Sequence, residues 1–575
     1  MKHFGIFLTL FLSVFKQVAT AKAIGAVTSD HIQCSAIGRE ILESGGGSVD
    51  AAISTMICIG ATNSFASGLG GGGFALVVPT GTTSTRAQSA KFYDFREVAP
   101  AAWEGEVSEK GARSVGVPGE LAGFWRLHRK YGRIPWRKLF EPTISLCLKG
   151  ILVTELHIKR YKWIENEEIR KIFQPNGKDY LQIGELFFLP ALARTLQRIA
   201  KNGIDEFYSA KGATCQSLLK ILSAHSSPIS LKDFESYKVK IRNPLVSSFG
   251  KLTVLTGPPP SAGAIVQRAL QIISHCSHPV IHTVIEAMKF AYASRFCLCD
   301  PDCAPKTLCS FLERIISPKQ AKKDFSRLDP NQTFGTEYYF CKCANHKAHS
   351  DGTSHVNVFG PDGIVVSMTC SINVPWGSGI YDTATGIILN NTLDDFSRPR
   401  DRNSWNLPPS PHNLPAPGKR PQSSCVPLVL LNPEGRLVCC IGASGGSKIP
   451  SSVIFCLANH LLFGMNAKEA VEKPRVHHQL EPNEVVLEQG PGQQELALEL
   501  EARGHAVRLE DPEKILQAAV SMITLSESGD LEAHNDSRKH SKHALACKNQ
   551  TLKGLVHGEP QLTEPSDCSL LYSSD

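Results

Sequence analysis

The sequence predicts a large globular protein of the α+β class, in which helices and strands are mixed. Helical and strand patterns alternate: residues 34–44 and 49–62 have helical spacing, and "GFALVVP" at 73–79 has the pattern of a strand. Two β-rich runs flank Pro-Asp-Gly at 361–363 and predict a hairpin. A chain of 575 residues, 42% of them hydrophobic, is also long enough to bury a large core.

Further elements follow along the chain. Helical spacing covers residues 121–131 and most of 146–292, where "GPPPSAG" at 257–263 interrupts it. "GRLVCCI" at 435–441 has the pattern of a buried strand, and residues 449–463 have that of a helix. The proline-rich stretch at 398–422 lacks periodicity and predicts a long surface loop. Polar, aperiodic residues at 548–575 predict a flexible tail.

The N-terminus predicts entry into the secretory pathway. Lys2 and His3 precede an apolar run at 4–15, and Ala-Lys-Ala at 21–23 resembles a cleavage site. Residues 1–23 are therefore a cleaved signal peptide or an uncleaved signal anchor, and the protein is expected outside the cell, secreted or held at its surface. The net charge of +7 is spread along the chain, with a dense basic stretch only near 537–543, so we expect no nucleic-acid partner.

The chain has 18 cysteines, and some of them form clusters in the sequence. One cluster is Cys297, Cys299, Cys303 and Cys309; a second, at 341–343, lies close to histidines at 346 and 349. These residue types can bind zinc, but their spacing fits no tetrahedral pattern well, so disulfides or free thiols are favoured and no metal is predicted. Three tripeptides are candidate glycosylation sites, at Asn331, Asn535 and Asn549.

The predicted hairpin places two hydroxyl groups side by side. Pro361 and Asp362 suit a type I turn, and Gly363 suits the left-handed position of a three-residue loop with a bulge. If Gly360 and Ile364 close that loop, the register places residue 353 opposite residue 371, a threonine opposite a serine on one face of the sheet.

A threonine hydroxyl is a nucleophile only when a base lies beside it. Cleavage of the bond after Gly352 would give Thr353 a free α-amine, whose pKa of about 7.7–8.0 suits a general base. A glycine at 352 tolerates the strained backbone that such an attack requires. The tetrapeptide "GTSH" by itself is more typical of a strand with a polar edge, so the hypothesis depends on further motifs.

Those motifs resemble a known family. "DGTSHVNV", "GIILNNTLDDFS", "PPSP…PGKRPQSSCVP" and "GASGGSKI", with "FREVAP" and "GVPGELAG" in the first half, are similar to the gamma-glutamyltranspeptidases, also called glutathione hydrolases. The resemblance extends from about residue 26 to about residue 546. It implies the four-layer αββα sandwich of the N-terminal nucleophile hydrolases. It also implies one precursor with a large chain at 24–352 and a small catalytic chain at 353–547, followed by the tail.

The resemblance also implies the catalytic groups. Thr353 is expected to be the nucleophile that takes the γ-glutamyl group as an ester, and Ser371 matches the second hydroxyl that orients it. Gly445 and Gly446 match the backbone donors of an oxyanion hole, at a turn between a strand and a helix N-terminus.

The substrate's charged end is assigned in the same way. Arg96 matches the arginine that binds the α-carboxylate, because a guanidinium offers two parallel donors. Ser423 and Ser424 match a serine pair that adds donors to that carboxylate. Asn373 and Asp395 match groups around the α-amino end, where Asp395 supplies the opposite charge.

One residue departs from the family pattern. Thr392 stands where members usually have Glu or Gln that contacts the substrate's α-amino group, so we expect a weaker contact there. The tripeptide at 390–392 is formally a glycosylation site, but a glycan there would block the substrate, so it is discounted.

Three other features receive an interpretation. Cys34 and Cys58 flank the glycine break between two predicted helices, and animal members have cysteines at equivalent places, so they are the best disulfide candidates. His355 is interpreted as structural, because an α-amine is available as the base. The basic stretch at 534–544 is interpreted as a solvated loop rather than a metal or anion site.

The resemblance implies an enzyme that cleaves the γ-glutamyl bond of glutathione and its S-conjugates. The acyl group would pass to water, an amino acid or a dipeptide, and no cofactor is implied. Two alternatives stay open: a divergent homologue with weak or altered γ-glutamyl amide specificity, and a secreted binding protein that keeps the fold without turnover.

Overall fold

The computed structural model describes residues 23–81, 89–105, 107–339, 352–398, 410, 412–511, 518–539 and 545–548. The described part of Ala23–Cys547 belongs to one compact unit. Residues 1–22 of the predicted signal segment lie outside the described residues, as does the predicted tail after Lys548. Among the described helices, none is both long and apolar enough to cross a membrane.

The strands are numbered in chain order. They are β1 Ala23–Ser29, β2 Gly72–Pro79, β3 Lys91–Phe95, β4 Ile151–Leu152, β5 Leu186–Phe187, β6 Lys240–Arg242, β7 Leu245–Phe249, β8 Leu252–Thr256, β9 Gly352–Phe359, β10 Ile364–Asn373, β11 Tyr381–Asp382, β12 Ile387–Ile388, β13 Leu428–Leu431, β14 Leu437–Ser444, β15 Val476–His477, β16 Val485–Glu488, β17 Val507–Glu510, β18 Ala519–Leu525, β19 Leu531–Asn535 and β20 Leu545–Lys548.

The α-helices are numbered in the same way. They are α1 Ile32–Glu43, α2 Ser48–Thr62, α3 Glu120–Tyr131, α4 Glu141–Lys149, α5 Glu155–Tyr161, α6 Glu167–Phe173, α7 Pro190–Asn202, α8 Asp205–Tyr208, α9 Ala213–Ala224, α10 Leu231–Ser236, α11 Gly263–Ile273, α12 Ile281–Ala293, α13 Lys306–Ile315, α14 Pro318–Phe325, α15 Thr336–Tyr339, α16 Ile449–Leu461, α17 Ala467–Glu472 and α18 Gln493–Glu501.

Two large sheets form the centre of the protein. The first has seven strands in the order β20-β1-β9-β10-β2-β3-β6, and the second has six in the order β19-β18-β14-β13-β8-β7. In the first sheet, β9 and β10 from the predicted small chain lie between β1 and β2 from the predicted large chain. The two halves of the sequence therefore share one sheet rather than forming separate domains.

The side chains of β13 show how the layers are held together. Leu428 and Leu430 point to the cluster that packs helices α11, α12 and α16 on the second sheet. Val429 and Leu431 point the other way, into the cluster between the two sheets. A strand buried on both faces must be apolar throughout, as "LVLL" is. With α2 and α3 covering the first sheet, the layers are α, β, β and α, as predicted.

The predicted hairpin of β9 and β10 forms with the predicted register. Phe359 pairs with Val365, and the antiparallel pairing continues to Thr353 and Ser371. Gly363 has a φ of 70°, the left-handed conformation that the three-residue loop requires.

The glycine run before β2 is explained by close packing. A Cβ on Gly71 would lie 2.2 Å from the Ser371 carbonyl oxygen, and one on Gly73 would lie 2.1 Å from the Thr369 carbonyl oxygen. Side chains larger than hydrogen would push β2 away from β10, the strand that carries Ser371.

The glycine break at 45–47 lets α1 fold back against α2. The Cys34 and Cys58 sulfurs form a disulfide between these helices, with their Cα atoms 5.4 Å apart. The carboxylate of Asp50 accepts a hydrogen bond of 2.9 Å from the Gly47 amide and closes the start of α2.

Two predictions about secondary structure were only partly right. Residues 146–292 contain the helices α5 to α12, as predicted, but they also contain three strands of the large sheets, β6, β7 and β8. The side chains of β6 and β7 are exposed or half-buried, and only the last three residues of β8 are buried. The predicted surface loop at 398–422 is partly buried where it is described. Asn413, Lys419 and Arg420 are each at most 6% exposed, because each polar side chain has hydrogen-bond partners in the loop or beside it.

The other cysteine and glycosylation predictions have mixed outcomes. Cys297 and Cys299 are buried thiols, and Cys303 and Cys309 are exposed thiols; residues 341–343 lie outside the described part. Asn331 is exposed, as a glycan acceptor must be, and Asn549 lies outside the described residues. Asn535 is 1% exposed in β19, so it does not fit an acceptor; the tripeptide alone carried no information on burial.

The carboxyl group of Glu120 is buried inside the protein. Glu120, the first residue of α3, is 1% exposed, and burial raises the pKa of its carboxyl from 4.5 to about 8. The folded protein therefore keeps a proton that the unfolded chain releases between these values. Stability is lost as the pH rises through this window and levels off above about pH 8.

Replacing Glu120 with Gln should remove this pH dependence. The variant should gain stability over the wild type as the pH rises from 4.5 to about 8, by up to about 1.4 kcal/mol per pH unit, measured by urea unfolding. Glu141 also begins a helix but is 40% exposed, so Glu141→Gln should behave like the wild type. Parallel pH profiles for Glu120→Gln and the wild type would contradict the buried proton.

Candidate active site

The hairpin brings two buried hydroxyl groups together. Thr353 Oγ1 and Ser371 Oγ are 3.2 Å apart, and the two side chains are 2% and 3% exposed. Thr353 is the second residue of β9, and Ser371 is its partner on β10. The sheet therefore fixes both groups, and water has little access to either.

The hydrogen bonds of Ser371 have a fixed direction. Its hydroxyl donates to the Gly352 carbonyl oxygen at 2.7 Å and accepts from the Asn373 amide at 2.8 Å. A serine hydroxyl has a single proton, so the bond to Thr353 must be donated by the Thr353 hydroxyl. The result is a chain from Thr353 O–H through Ser371 O–H to the carbonyl of the bond between Gly352 and Thr353.

Asn373 stabilises this arrangement. It lies at a bulge where the β9–β10 register shifts, with a φ of 80°, a conformation that asparagine adopts more readily than most residues. Its side-chain amide donates to the Asn391 carbonyl oxygen at 3.2 Å. Asn373 does not line the cavity beside the two hydroxyl groups. Its backbone amide donates to Ser371 Oγ and thereby orients that hydroxyl.

A small cavity lies beside the two hydroxyl groups. It has a volume of about 10 Å³, enough for about one water molecule, in the chain whose 352–353 bond is intact. Its lining residues are Arg96, Arg295, Thr353, Ser371, Asp395, Gln422, Ser423, Ser424, Cys425, Gly446 and Ile449. The structure thus brings together most of the residues that the sequence predicted. Asn373, Thr392 and Gly445 are predicted site residues that do not line the cavity, and Arg295, Gln422 and Cys425 were missed.

Two charged groups of the cavity, Arg96 and Asp395, are already paired with each other. Arg96, which is 2% exposed, donates from Nη2 to the Asp395 carboxylate, and its Nη1 lies 3.6 Å from Glu97 Oε2. Burial raises the pKa of the Asp395 carboxyl, and the Arg96 guanidinium opposes the rise. An ion pair buried in this way is held by its geometry and exchanges partners only when another charge replaces one of them.

Thr392 contacts Glu97, the carboxylate that faces Arg96. It is fully buried, and its hydroxyl donates to Glu97 Oε1 at 2.7 Å. The sequence predicted that Thr392 would weaken a contact with the substrate itself. In the structure its visible partner is Glu97, whose carboxylate faces Arg96. The two asparagines before it are also buried, which agrees with discounting a glycan at 390.

Two loop segments complete the cavity. Ser423 Oγ accepts a hydrogen bond from the Cys425 amide at 3.1 Å, so this serine is already oriented, and Ser424 is only half-buried. Gly445 and Gly446 have φ values of 125° and 63°, which only glycine adopts freely, and they lead into the turn before α16. Gly446 lines the cavity, whereas Gly445 does not.

Lys539 is a site residue that the sequence did not indicate. Its Nζ donates to the Thr353 carbonyl oxygen at 2.9 Å, to Asp30 Oδ2 at 2.8 Å and to Ser444 Oγ at 2.5 Å. It is 5% exposed, so the prediction of a solvated basic loop was wrong for this part of 534–544. Only the fold brings β1, β14 and this turn together, and no local pattern signals it.

His355 belongs to a separate buried network between the sheets. Its Nδ1 pairs with Thr369 Oγ1 at 2.8 Å and its Nε2 with Asn357 Oδ1 at 2.9 Å. Burial lowers the pKa of His355 to about 4, so the ring is neutral at pH 7. With both ring nitrogens bonded to residues of the first sheet, His355 has a structural role and is not a base for Thr353.

Among the described residues, one cluster elsewhere has side chains of the metal-binding type: His282, Glu286 and His505. The Nζ of Lys289 lies 3.2 Å from Glu286 Oε1 and 3.4 Å from His505 Nδ1. This ammonium group already supplies the cation that the carboxylate requires, so the cluster does not argue for a metal.

Comparisons with known proteins identify the family from the sequence and the fold from the structure. The Gamma-glutamyltranspeptidase family model matches residues 34–546. Glutathione hydrolase proenzyme 1 of Schizosaccharomyces pombe is 36% identical over 547 residues, which cover 90% of this chain and 84% of that protein. Glutathione hydrolase 3 of Arabidopsis thaliana is 36% identical over 485 residues, covering 81% and 74%.

Among solved structures, the cephalosporin acylase from Bacillus halodurans is similar, with a TM-score of 0.77 at 21% identity, covering 93% of this chain and 98% of that one. At this identity the likeness establishes the fold alone, and it confirms the predicted αββα class. Because the family match runs through both sheets and both relatives align over most of the chain, the protein belongs to the gamma-glutamyltranspeptidase family of enzymes, as its motifs predicted.

Proposed function

We propose that the protein is made as a precursor that cuts itself between Gly352 and Thr353, and that Thr353 then accepts the γ-glutamyl group of glutathione and its S-conjugates. The acyl group passes to water, an amino acid or a dipeptide. The observation that carries the proposal is the hydrogen-bond chain from Thr353 through Ser371 to the Gly352 carbonyl. The name "proenzyme" of the fission-yeast relative agrees with a processed precursor.

Self-cleavage follows from the direction of these bonds. Thr353 Oγ1 attacks the Gly352 carbonyl carbon, a C–O bond forms, and the C–N bond breaks. The hydroxyl proton leaves through Ser371 and ends on the freed nitrogen. Water then hydrolyses the ester, which leaves a Gly352 carboxylate, a Thr353 hydroxyl and a free α-amine. Any side chain at 352 would meet the backbone of Val374 at 2.6 Å, which is why a glycine is required there.

Catalysis then uses the new N-terminus. The α-amine, with a reference pKa of about 7.7–8.0, takes the Thr353 hydroxyl proton during attack on the γ-carbonyl and returns it to the leaving amine. The backbone amides of Gly445 and Gly446 would stabilise the oxyanion, and the position of Gly446 in the cavity lining supports this. Water or an acceptor amine then attacks the ester and restores Thr353. The scheme requires no cofactor.

The substrate's α-amino acid end is proposed to exchange partners with the buried ion pair. Its carboxylate would take Arg96 with Ser423 and Ser424, and its ammonium group would take Asp395. A divergent γ-glutamyl amide specificity is the second candidate function. Residue 392 is a neutral threonine that bonds Glu97, where family members usually have a Glu or Gln for the substrate.

For the location, we propose the secretory pathway, with the mature protein secreted or held at the cell surface. The apolar N-terminal run and the disulfide between Cys34 and Cys58 support this, because disulfides persist in oxidising compartments.

Thr353→Ala should leave a single uncut chain, because the attacking hydroxyl is lost. The wild type should give two fragments on a denaturing gel, and Edman sequencing of the smaller one should begin Thr-Ser-His-Val. Thr353→Ser keeps the hydroxyl and should still be cut. Ser371→Ala interrupts the hydrogen-bond chain and should slow the cut. Normal cutting of Thr353→Ala would exclude Thr353 as the nucleophile.

Arg96→Lys should lower kcat/KM for a γ-glutamyl anilide at least about tenfold, since a charge-assisted hydrogen bond contributes on the order of 1.5–3 kcal/mol. Lysine cannot bind Asp395 and a substrate carboxylate with the geometry of a guanidinium. Self-cleavage needs no substrate and should persist, which serves as the internal control. Unchanged kinetics would remove Arg96 from the site.

Thr392→Val should destabilise the protein by about 1–3 kcal/mol, because a buried oxygen of Glu97 loses its hydrogen bond. Thr392→Ser keeps the hydroxyl and should stay close to the wild type. Urea unfolding of the two variants measures the difference. Equal stability of the valine and serine variants would show that the contact with Glu97 contributes nothing.

A further inference from the structure

A second arginine lines the cavity and has no role in the scheme above. Arg295 begins the short helical turn Arg295–Cys297, directly after α12, and is 7% exposed. It lines the same cavity as Thr353 and Ser371. Its guanidinium is thus a nearly buried cation beside the proposed reaction centre.

Unlike Arg96, Arg295 has no anionic partner. Its Nη1 is buried without a hydrogen bond in the described part of the protein, and no ion pair between described residues includes it. The nearest carboxylate in electrostatic reach is Asp395, which is already bonded to Arg96. A buried charge without a partner is costly, so such a group is expected to receive its counter-charge from a ligand.

The backbone links Arg295 to the segment that is predicted to hold a carboxylate. The Arg295 carbonyl oxygen accepts a hydrogen bond of 2.9 Å from Gln422 Nε2. Gln422 directly precedes Ser423 and Ser424, and all four residues line the cavity. The unpaired guanidinium therefore lies on the side of the cavity where hydroxyl donors are available.

Arg96 is already shared between two carboxylates. Its Nη2 is bonded to Asp395 and its Nη1 lies 3.6 Å from Glu97 Oε2, while its Nε is buried without a hydrogen bond in the described part of the protein. A bidentate clamp needs two adjacent donors. Arg295 can add donors for a carboxylate without giving up an ion pair of its own.

We propose that Arg295 is a second arginine for the α-carboxylate of the γ-glutamyl donor and binds it together with Arg96, Ser423 and Ser424. This assignment rests on the proposed function and names a further substrate-binding residue for it. It explains why the cavity contains two guanidinium groups but a single carboxylate in its lining.

The test compares two substrates that differ only in this carboxylate: a γ-glutamyl anilide and a 4-aminobutyryl anilide. With the processed full-length protein, Arg295→Gln should lower kcat/KM for the γ-glutamyl compound at least about tenfold, the loss of one charge-assisted bond. The value for the 4-aminobutyryl compound should change less than about threefold. Arg295→Lys keeps the charge and should recover part of the loss. Equal losses for both substrates would overturn the assignment.

A second measurement separates binding from folding. Arg295→Gln should unfold at the wild-type temperature or above it, since it removes an unpaired buried charge, while L-glutamate should no longer raise that temperature. Arg268 is the matched control. It is also buried, at 4% exposed, but its Nη2 lies 2.7 Å from the Asp324 carboxylate, so its charge is paired. Arg268→Gln should unfold at a lower temperature and keep the response to L-glutamate. A marked loss of stability in Arg295→Gln, with the glutamate response intact, would also overturn the proposal.

The proposed function can fail separately from this assignment. A wild-type protein that releases no amine from the γ-glutamyl anilide contradicts the proposed function. An active wild type whose Arg295→Gln variant treats both anilides alike contradicts only the role of Arg295.

Discussion

The position of the Gly352–Thr353 bond is the constraint on which the rest of the site depends. It lies at the start of β9, a strand inside the first sheet, and it is paired there with β10, so Thr353 cannot shift without disturbing that pairing. The groups around the bond are buried, so each polar group must bond to another. Ser371 donates to the Gly352 carbonyl oxygen and Lys539 to the Thr353 carbonyl oxygen. Because the donors come from β10 and from the last described turn of the second sheet, the whole sandwich must form before this bond is held correctly.

The sequence predicted what is local and missed what is brought together by folding. The hairpin register followed from a three-residue turn, so Thr353 and Ser371 were paired correctly from their numbers alone. The motif residues reached the cavity because the family resemblance carries a shared three-dimensional arrangement. Arg295 and Lys539 lie in stretches without a distinguishing pattern. The residues they meet in the fold, such as Asp30 beside Lys539 and Thr353 beside Arg295, are distant in the sequence. The strands β6 to β8 were missed for a related reason: each has five residues or fewer, and its place in a sheet is decided by pairing with neighbouring strands.

Thr392 illustrates how a position can keep its importance while its contact changes. The family resemblance assigned Thr392 to the substrate. In the structure Thr392 bonds Glu97, Glu97 faces Arg96, and Arg96 bonds Asp395. The charge that a glutamate at 392 would bring is thus already present nearby, on a residue that directly follows Arg96 in the sequence. A second buried carboxylate there would repel the first, so a neutral hydroxyl is the more compatible partner for Glu97.

The ion pair between Arg96 and Asp395 also sets a condition on any ligand. Breaking a buried pair by removing one partner leaves an uncompensated charge, whereas replacing it with two new pairs does not. An α-amino acid end carries both charges on one carbon. It can therefore give Asp395 an ammonium group and the arginines a carboxylate in a single event. A ligand with only one of these charges would satisfy one side and strand the other. In the proposed function, selectivity for the free α-amino acid end thus arises from the internal pair that the ligand must replace, and not only from the new contacts that it makes.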